Sequence, residues 1–151
     1  MNLKRLIKEW KNFLVEQRVK YQGILLLKPD EKTVSKIEPF QHMLPEEAKR
    51  LDKDKLHVTL IHQSILKPFR EQLKGASLPE PPPIVLEDEV WERESLGKKS
   101  WAIRLQNQEE MRDYVKQVMQ TLGSENTNPE PERVFHISLA NLTGNPHDSV
   151  R

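Results

Sequence analysis

A chain of 151 residues is one domain's worth of polypeptide, or two small lobes sharing a core. Its 24 lysines and arginines stand against 23 aspartates and glutamates, and this formal charge of +1 argues against a duplex binder that relies on phosphate neutralisation alone. The lack of cysteine removes disulfides, thiolate zinc sites and cysteine nucleophiles together and suits a reducing, cytoplasmic setting, and no apolar run approaches the roughly 20 residues of a membrane span.

Residues 1–20 read as an amphipathic helix, with Leu3, Leu6, Ile7, Trp10, Phe13 and Leu14 on one stripe of a 3.6-residue period. The segment is basic, carrying a local charge of +4. Such a helix either covers an apolar face of its own domain or docks to a partner. Tyr21 to Lys28 reads as one buried strand ended by Pro29. Residues 33–52 look helical in two pieces, with breaks at Pro39 and Pro45. Leu56 to Ile61 alternates as a strand, and Ile65 to Leu73 suggests a short helix starting near Pro68. Residues 78–83, with four prolines, form a stiff linker. Ile84 to Glu94 and Ser100 to Gln106 predict a hairpin around Leu96-Gly97-Lys98-Lys99. Asn107 with Glu110 resembles a capping box, and Met111, Val115, Val118, Met119 and Leu122 keep one helical face up to Gly123. After a polar loop, Val134 to Asn141 reads as the last strand, followed by a polar tail. Strand-helix-strand thus occurs on both sides of the linker, and the expected class is α+β with mainly antiparallel sheets in two lobes.

Two strands share a pattern. Leu56-His57-Val58-Thr59-Leu60-Ile61 and Phe135-His136-Ile137-Ser138-Leu139-Ala140 each read apolar, His, β-branched, hydroxyl, Leu, apolar. Because alternate side chains of a strand point to opposite faces, His57 with Thr59, and His136 with Ser138, stand on the non-core faces of their strands. This arrangement suits phosphoryl transfer without a metal. One imidazole removes a proton from the attacking hydroxyl or water, and the other, protonated, supplies one to the leaving oxygen. The hydroxyls donate to the non-bridging phosphate oxygens. A single His-x-Thr is ordinary in a strand, but its duplication in matching apolar frames is specific.

These two segments resemble the paired His-x-Thr/Ser signatures of the two-histidine phosphoesterase superfamily, which includes the RNA 2′,3′-cyclic phosphodiesterases, or 2′-5′ RNA ligase-like proteins. The resemblance spans about Tyr21 to Leu142, with Ser138 in place of the commoner threonine. It implies a bilobal fold of two antiparallel sheets related by a pseudo-twofold axis, with the motifs facing across a central cleft. It also implies acid–base roles for His57 and His136, phosphate contacts from Thr59 and Ser138, no cofactor, and a nucleotide or RNA-derived phosphodiester as substrate. Compact members occur in bacteriophages, where some cut cyclic nucleotide signals of host defence. The similar size and motif spacing extend the analogy to them, and with it a location in a host cytoplasm.

Tyr21, Trp91 and Trp101 are candidate base-stacking platforms or, equally, core residues. His62 falls on the opposite strand parity from His57 and reads as strand-end decoration. His42 and His147 have no partner in sequence, so five histidines without a His-Glu-x-x-His set suggest no zinc site. Lys98 and Lys99 read as a solvated hairpin tip. Two further functional classes remain: a nucleotide- or RNA-binding module that turns nothing over, and a partner-docking protein that works through the N-terminal helix.

Overall fold

The computed structural model describes residues 18–150. The first seventeen positions of the expected N-terminal helix lie outside the described residues, while Arg18 and Lys20 belong to a strand. Strand β1 (Arg18–Gln22) pairs antiparallel with β2 (Ile24–Lys28). The single strand expected over Tyr21–Lys28 is therefore the end of one strand and all of another. Gly23 makes the reversal at φ +84°, a conformation that costs glycine little and other residues more.

Helix α1 (Glu31–His42) starts where the Asp30 carboxylate accepts a 2.7 Å hydrogen bond from the Thr33 N–H. It runs through exposed Pro39 instead of breaking there. The second helical piece expected after Pro45 is instead a turn, closed by the Ala48 N–H on the Pro45 carbonyl, and leads into the short β3 (Lys49–Arg50). Buried Gln41 pins α1 to the sheet by donating from Nε2 to the carbonyls of Leu51 and Leu139, at 3.1 and 3.0 Å.

After β4 (Val58–Ile61), α2 (Gln63–Leu66), a 3₁₀ turn and α3 (Arg70–Gly75) follow one another. This stretch begins earlier than Pro68 because His62 caps it. Its Nδ1 accepts from the Ser64 N–H at 3.2 Å, a role beyond strand-end decoration. The proline segment lies along the C-terminal half, its Pro79 carbonyl accepting from the Tyr114 hydroxyl at 2.8 Å. Strands β5 (Leu86–Ser95) and β6 (Lys98–Leu105) meet at Leu96 and Gly97, both at positive φ, as a tight hairpin turn requires. Helix α4 (Gln108–Thr121) lacks the expected capping box. The Asn107 side chain instead donates to the Pro83 carbonyl and accepts from the Val85 N–H, so it ties the linker down and is lost to the helix. Strand β7 (His136–Asn141) closes the sheet.

The fold is α+β, with one antiparallel sheet in the order β1-β2-β4-β7-β6-β5 and β3 pairing beside the end of β7. Where two sheets were expected, the strands form one, joined at its middle through a single residue pair, Val58 with Ile137. Each half follows the same plan of hairpin, helix and motif strand, and the strand order is a palindrome about that pair. One sheet face carries Leu25, Leu27, Val58, Leu60, Ile103, Leu105, Ile137 and Leu139 into a shared core with Ile37 of α1 and Met111, Val115 and Val118 of α4.

Candidate active site

The two motifs lie at the centre of the sheet because β4 and β7 are neighbours there. Val58 and Ile137 are fully buried, so strand parity sends His57, Thr59, His136 and Ser138 to the opposite face, where all four line one cleft of about 1150 Å³. The antiparallel sense of the Val58–Ile137 pair puts His57 on the side of Ser138 and Thr59 on the side of His136.

The two imidazoles are anchored alike. His57 Nδ1 lies 2.9 Å from the Lys55 carbonyl, and His136 Nδ1 lies 2.8 Å from the Val134 carbonyl, each two residues upstream. A carbonyl only accepts, so Nδ1 carries the proton in both rings and Nε2 of the neutral imidazole is left as the basic nitrogen. Burial pushes the His136 pKa down to about 4, helped by the positive charges of Arg93 and Arg133 and by His57. Burial also lowers His57, opposed by its carbonyl contact and reinforced by Lys28. Both rings are therefore neutral at pH 7, and an anion in the cleft would raise the proton affinity of either.

The surroundings differ between the halves. Trp91 stands edge-on to His136, with ring centroids 5.5 Å apart, and the guanidinium groups of Arg93 and Arg104 lie 4.5 and 5.3 Å from its centre. Arg104 pairs with His136 across the strands and is held by Glu87 at 3.1 Å. Arg133 lines the cleft while Glu130 grips it through two contacts, at 2.9 and 2.7 Å. The tail folds back over this half. Asn141, fully buried, donates to the Asn145 carbonyl and the Ser149 hydroxyl, while Ser100 accepts from the Val150 N–H at 2.6 Å and Arg93 donates to the Val150 carbonyl.

Of the three aromatic candidates, the structure brings only Trp91 to the motifs. Trp101 is 1% exposed, which leaves no ring surface for a base, and Tyr21 packs against the core because β1 turns its odd-numbered residues inward. The hairpin-tip reading splits in the same way. Lys98 reaches the His147 carbonyl, whereas Lys99 is bound by Glu47 and Glu92, each at 3.1 Å, and lies over the Trp101 ring. Sequence reasoning missed Arg93 and Arg104, although parity from Trp91 and the hairpin register point to both. It also missed Arg133, which carries no such signal. Among the described residues, no group of three or more His, Asp and Glu side chains is placed to hold a metal ion. No family model, curated protein or solved structure matches the chain.

Proposed function

We propose that the protein is a metal-independent phosphodiesterase acting on a nucleotide phosphodiester: a 2′,3′-cyclic phosphate, a 2′-5′ linkage or a cyclic oligonucleotide. The observation that carries this reading is the duplicated site, in which two imidazoles with the same Nδ1 anchor stand in one cleft with the hydroxyls of Thr59 and Ser138. The reading takes the two halves of the sheet as the two lobes of a two-histidine phosphoesterase, in a cytoplasmic setting that for a phage-encoded member is the host's.

The chemistry follows from the tautomers. Nε2 of one neutral histidine takes a proton from water or a ribose hydroxyl as its oxygen bonds to phosphorus. The bond from phosphorus to the leaving oxygen breaks, and that oxygen takes the Nε2 proton of the other histidine, which entered the step as imidazolium. The carbonyl on Nδ1 keeps each ring oriented and favours its charged form. Thr59 and Ser138 donate to the non-bridging oxygens, where charge grows. The substrate's own negative charge supports the imidazolium that the empty cleft disfavours.

A screen of 2′,3′-cyclic nucleotides, cyclic di- and trinucleotides and 2′-5′-linked RNA in excess EDTA tests the proposal. Turnover that persists in chelator supports it, and the phosphate position in the product identifies the linkage. Turnover that appears only with a divalent ion contradicts it. Binding without turnover would make the protein a nucleotide-binding module instead.

A further inference from the structure

The sheet face outside the motifs is asymmetric. Beyond β4 the cleft face consists of β2 and then β1, where even-numbered residues point into the cleft: Ile24, Leu26 and Lys28, then Arg18, Lys20 and Gln22. The pairing registers arrange them in rows. Lys20 is beside Leu26, and Leu26 is beside Thr59. Arg18 is beside Lys28, and one further step along the Leu27–Val58 register brings Lys28 to His57. Two strand spacings, about 10 Å, separate β4 from β1. The cleft therefore has a cationic bank that starts at the first histidine and ends on the edge strand, with Leu26 as an apolar step between.

The charges on this bank crowd one another. Burial lowers the Lys28 pKa, Lys20 and Lys55 lower it further, and only Asp54 acts the other way. Lys28 donates to the Asp54 backbone carbonyl, a neutral acceptor. Arg18 and Lys20 form no ion pair with any described residue. In the other half the cleft wall is the tail, whose Ser149 and Val150 are anchored to Asn141, Ser100 and Arg93, and no row of lysines stands there among the described residues. Among the described residues, the cleft offers an extended ligand anchored at the motifs a cationic path over β2 and β1.

We infer that the β1–β2 bank is a subsite for a second phosphate, one nucleoside removed from the scissile phosphorus, held by Arg18 and Lys20 with Lys28 between it and the reacting group. The inference rests on the phosphodiesterase reading and narrows it. The preferred substrate carries a phosphate on the 5′-oxygen of the nucleoside whose 2′- or 3′-oxygen bears the scissile group, and a bare nucleoside 2′,3′-cyclic phosphate is a poor one. That chemistry has two sources, the terminal phosphate of a mononucleotide and the internal diester of a chain or ring.

Calorimetric titration of the catalytically silenced His57→Ala/His136→Ala protein at low salt tests the inference with three probes. These are adenosine 2′,3′-cyclic phosphate, its 5′-phosphorylated form, and the ApA dinucleotide ending in a 2′,3′-cyclic phosphate. One charged hydrogen bond predicts that the phosphorylated probes bind roughly tenfold tighter. Adding Arg18→Gln/Lys20→Gln should bring the ratio close to one, whereas Lys74→Gln/Lys116→Gln, which removes the same charge elsewhere, should leave it in place. An advantage confined to the terminal phosphate marks a mononucleotide subsite, and one shared by the dinucleotide marks a chain subsite. Equal or undetectable binding of all three probes, or an advantage that survives Arg18→Gln/Lys20→Gln, overturns the inference. Failure of the wild-type protein to turn over any of the probes would count against the phosphodiesterase reading alone, since the affinity ratio still decides the subsite.

Discussion

The half built from β1, β2 and β4 and the half built from β5, β6 and β7 carry the same chemistry on unlike ground. Each supplies a motif strand whose histidine leans through Nδ1 on the carbonyl two residues upstream. Around His57 the cleft is lined by Ile24, Leu26 and lysines with Glu31, Glu38 and Asp54 among them, whereas His136 is crowded by Trp91, Arg93, Arg104 and the tail. The chemistry of a pair requires only that the strand geometry be duplicated. What flanks each copy is free to diverge, and that divergence gives one imidazole a pKa near 4 and the other a milder depression.

The largest effect is expected where the halves join. Val58 and Ile137 are each fully buried and form the single residue pair between β4 and β7. A carboxylate there has no partner, and burying an unpaired charge costs more than a small domain has to spare. Val58→Asp and Ile137→Asp should each abolish the cooperative thermal transition. A variant that melts normally would show that the two halves do not depend on their join.

Next come the imidazoles. His57→Ala and His136→Ala should each lower turnover by about 10²–10⁴-fold while circular dichroism and the melting temperature stay close to wild type. The double variant should lose less than the product of the single losses, because the proposed mechanism has the two groups act in one step. If His57→Ala melts early while its folded fraction keeps full activity, that histidine is structural and the equivalence of the halves is broken. Thr59→Ala and Ser138→Ala should be milder, near tenfold each, since each removes one hydrogen bond to charge worth on the order of 1.5 kcal/mol.

The motif half of this comparison was legible from spacing alone. A period of two between His57 and Thr59, and again between His136 and Ser138, determines their face once the apolar neighbours are placed in the core. The α4 stripe and the Leu96-Gly97 turn are local signals of the same kind. What was hidden depends on contacts distant in sequence. β1 is an edge strand whose alternate residues are charged, so its pattern is readily absorbed into the helical period before it. Trp101 and Trp91 sit on one hairpin, and which of the two faces the core is decided by the register of β6 on β7. Asn107 carries a good capping side chain, but the linker backbone takes it. The tail reads as polar loop because its anchors, Asn141, Ser100 and Arg93, belong to the sheet.

The smallest effects concern protons, and they bear most directly on the difference between the halves. Both histidines have folded pKa values below the 6.5 of an exposed imidazole, so the unfolded chain binds more protons than the native one as pH falls below that value. The histidines' contribution to stability should therefore decline as pH drops from about 6.5 and level off once His136 itself protonates near 4. His136→Asn should flatten that decline more than His57→Asn does, as read from urea midpoints across the range. In an NMR titration the first proton should go to the His57 ring, with His136 remaining neutral until about pH 4. In the proposed mechanism the productive free protein holds one proton between the two rings, so kcat/KM should fall on the alkaline side at a pH below 6.5. Once bound, the substrate's anion raises the affinity for that proton, so the alkaline limb of kcat should lie at higher pH than that of kcat/KM. Coincident limbs, with chemistry shown to limit turnover, would mean that substrate charge does not reach the imidazolium. A first proton on His136 would mean that the crowding by Trp91, Arg93 and Arg133 does not distinguish the halves as their geometry indicates.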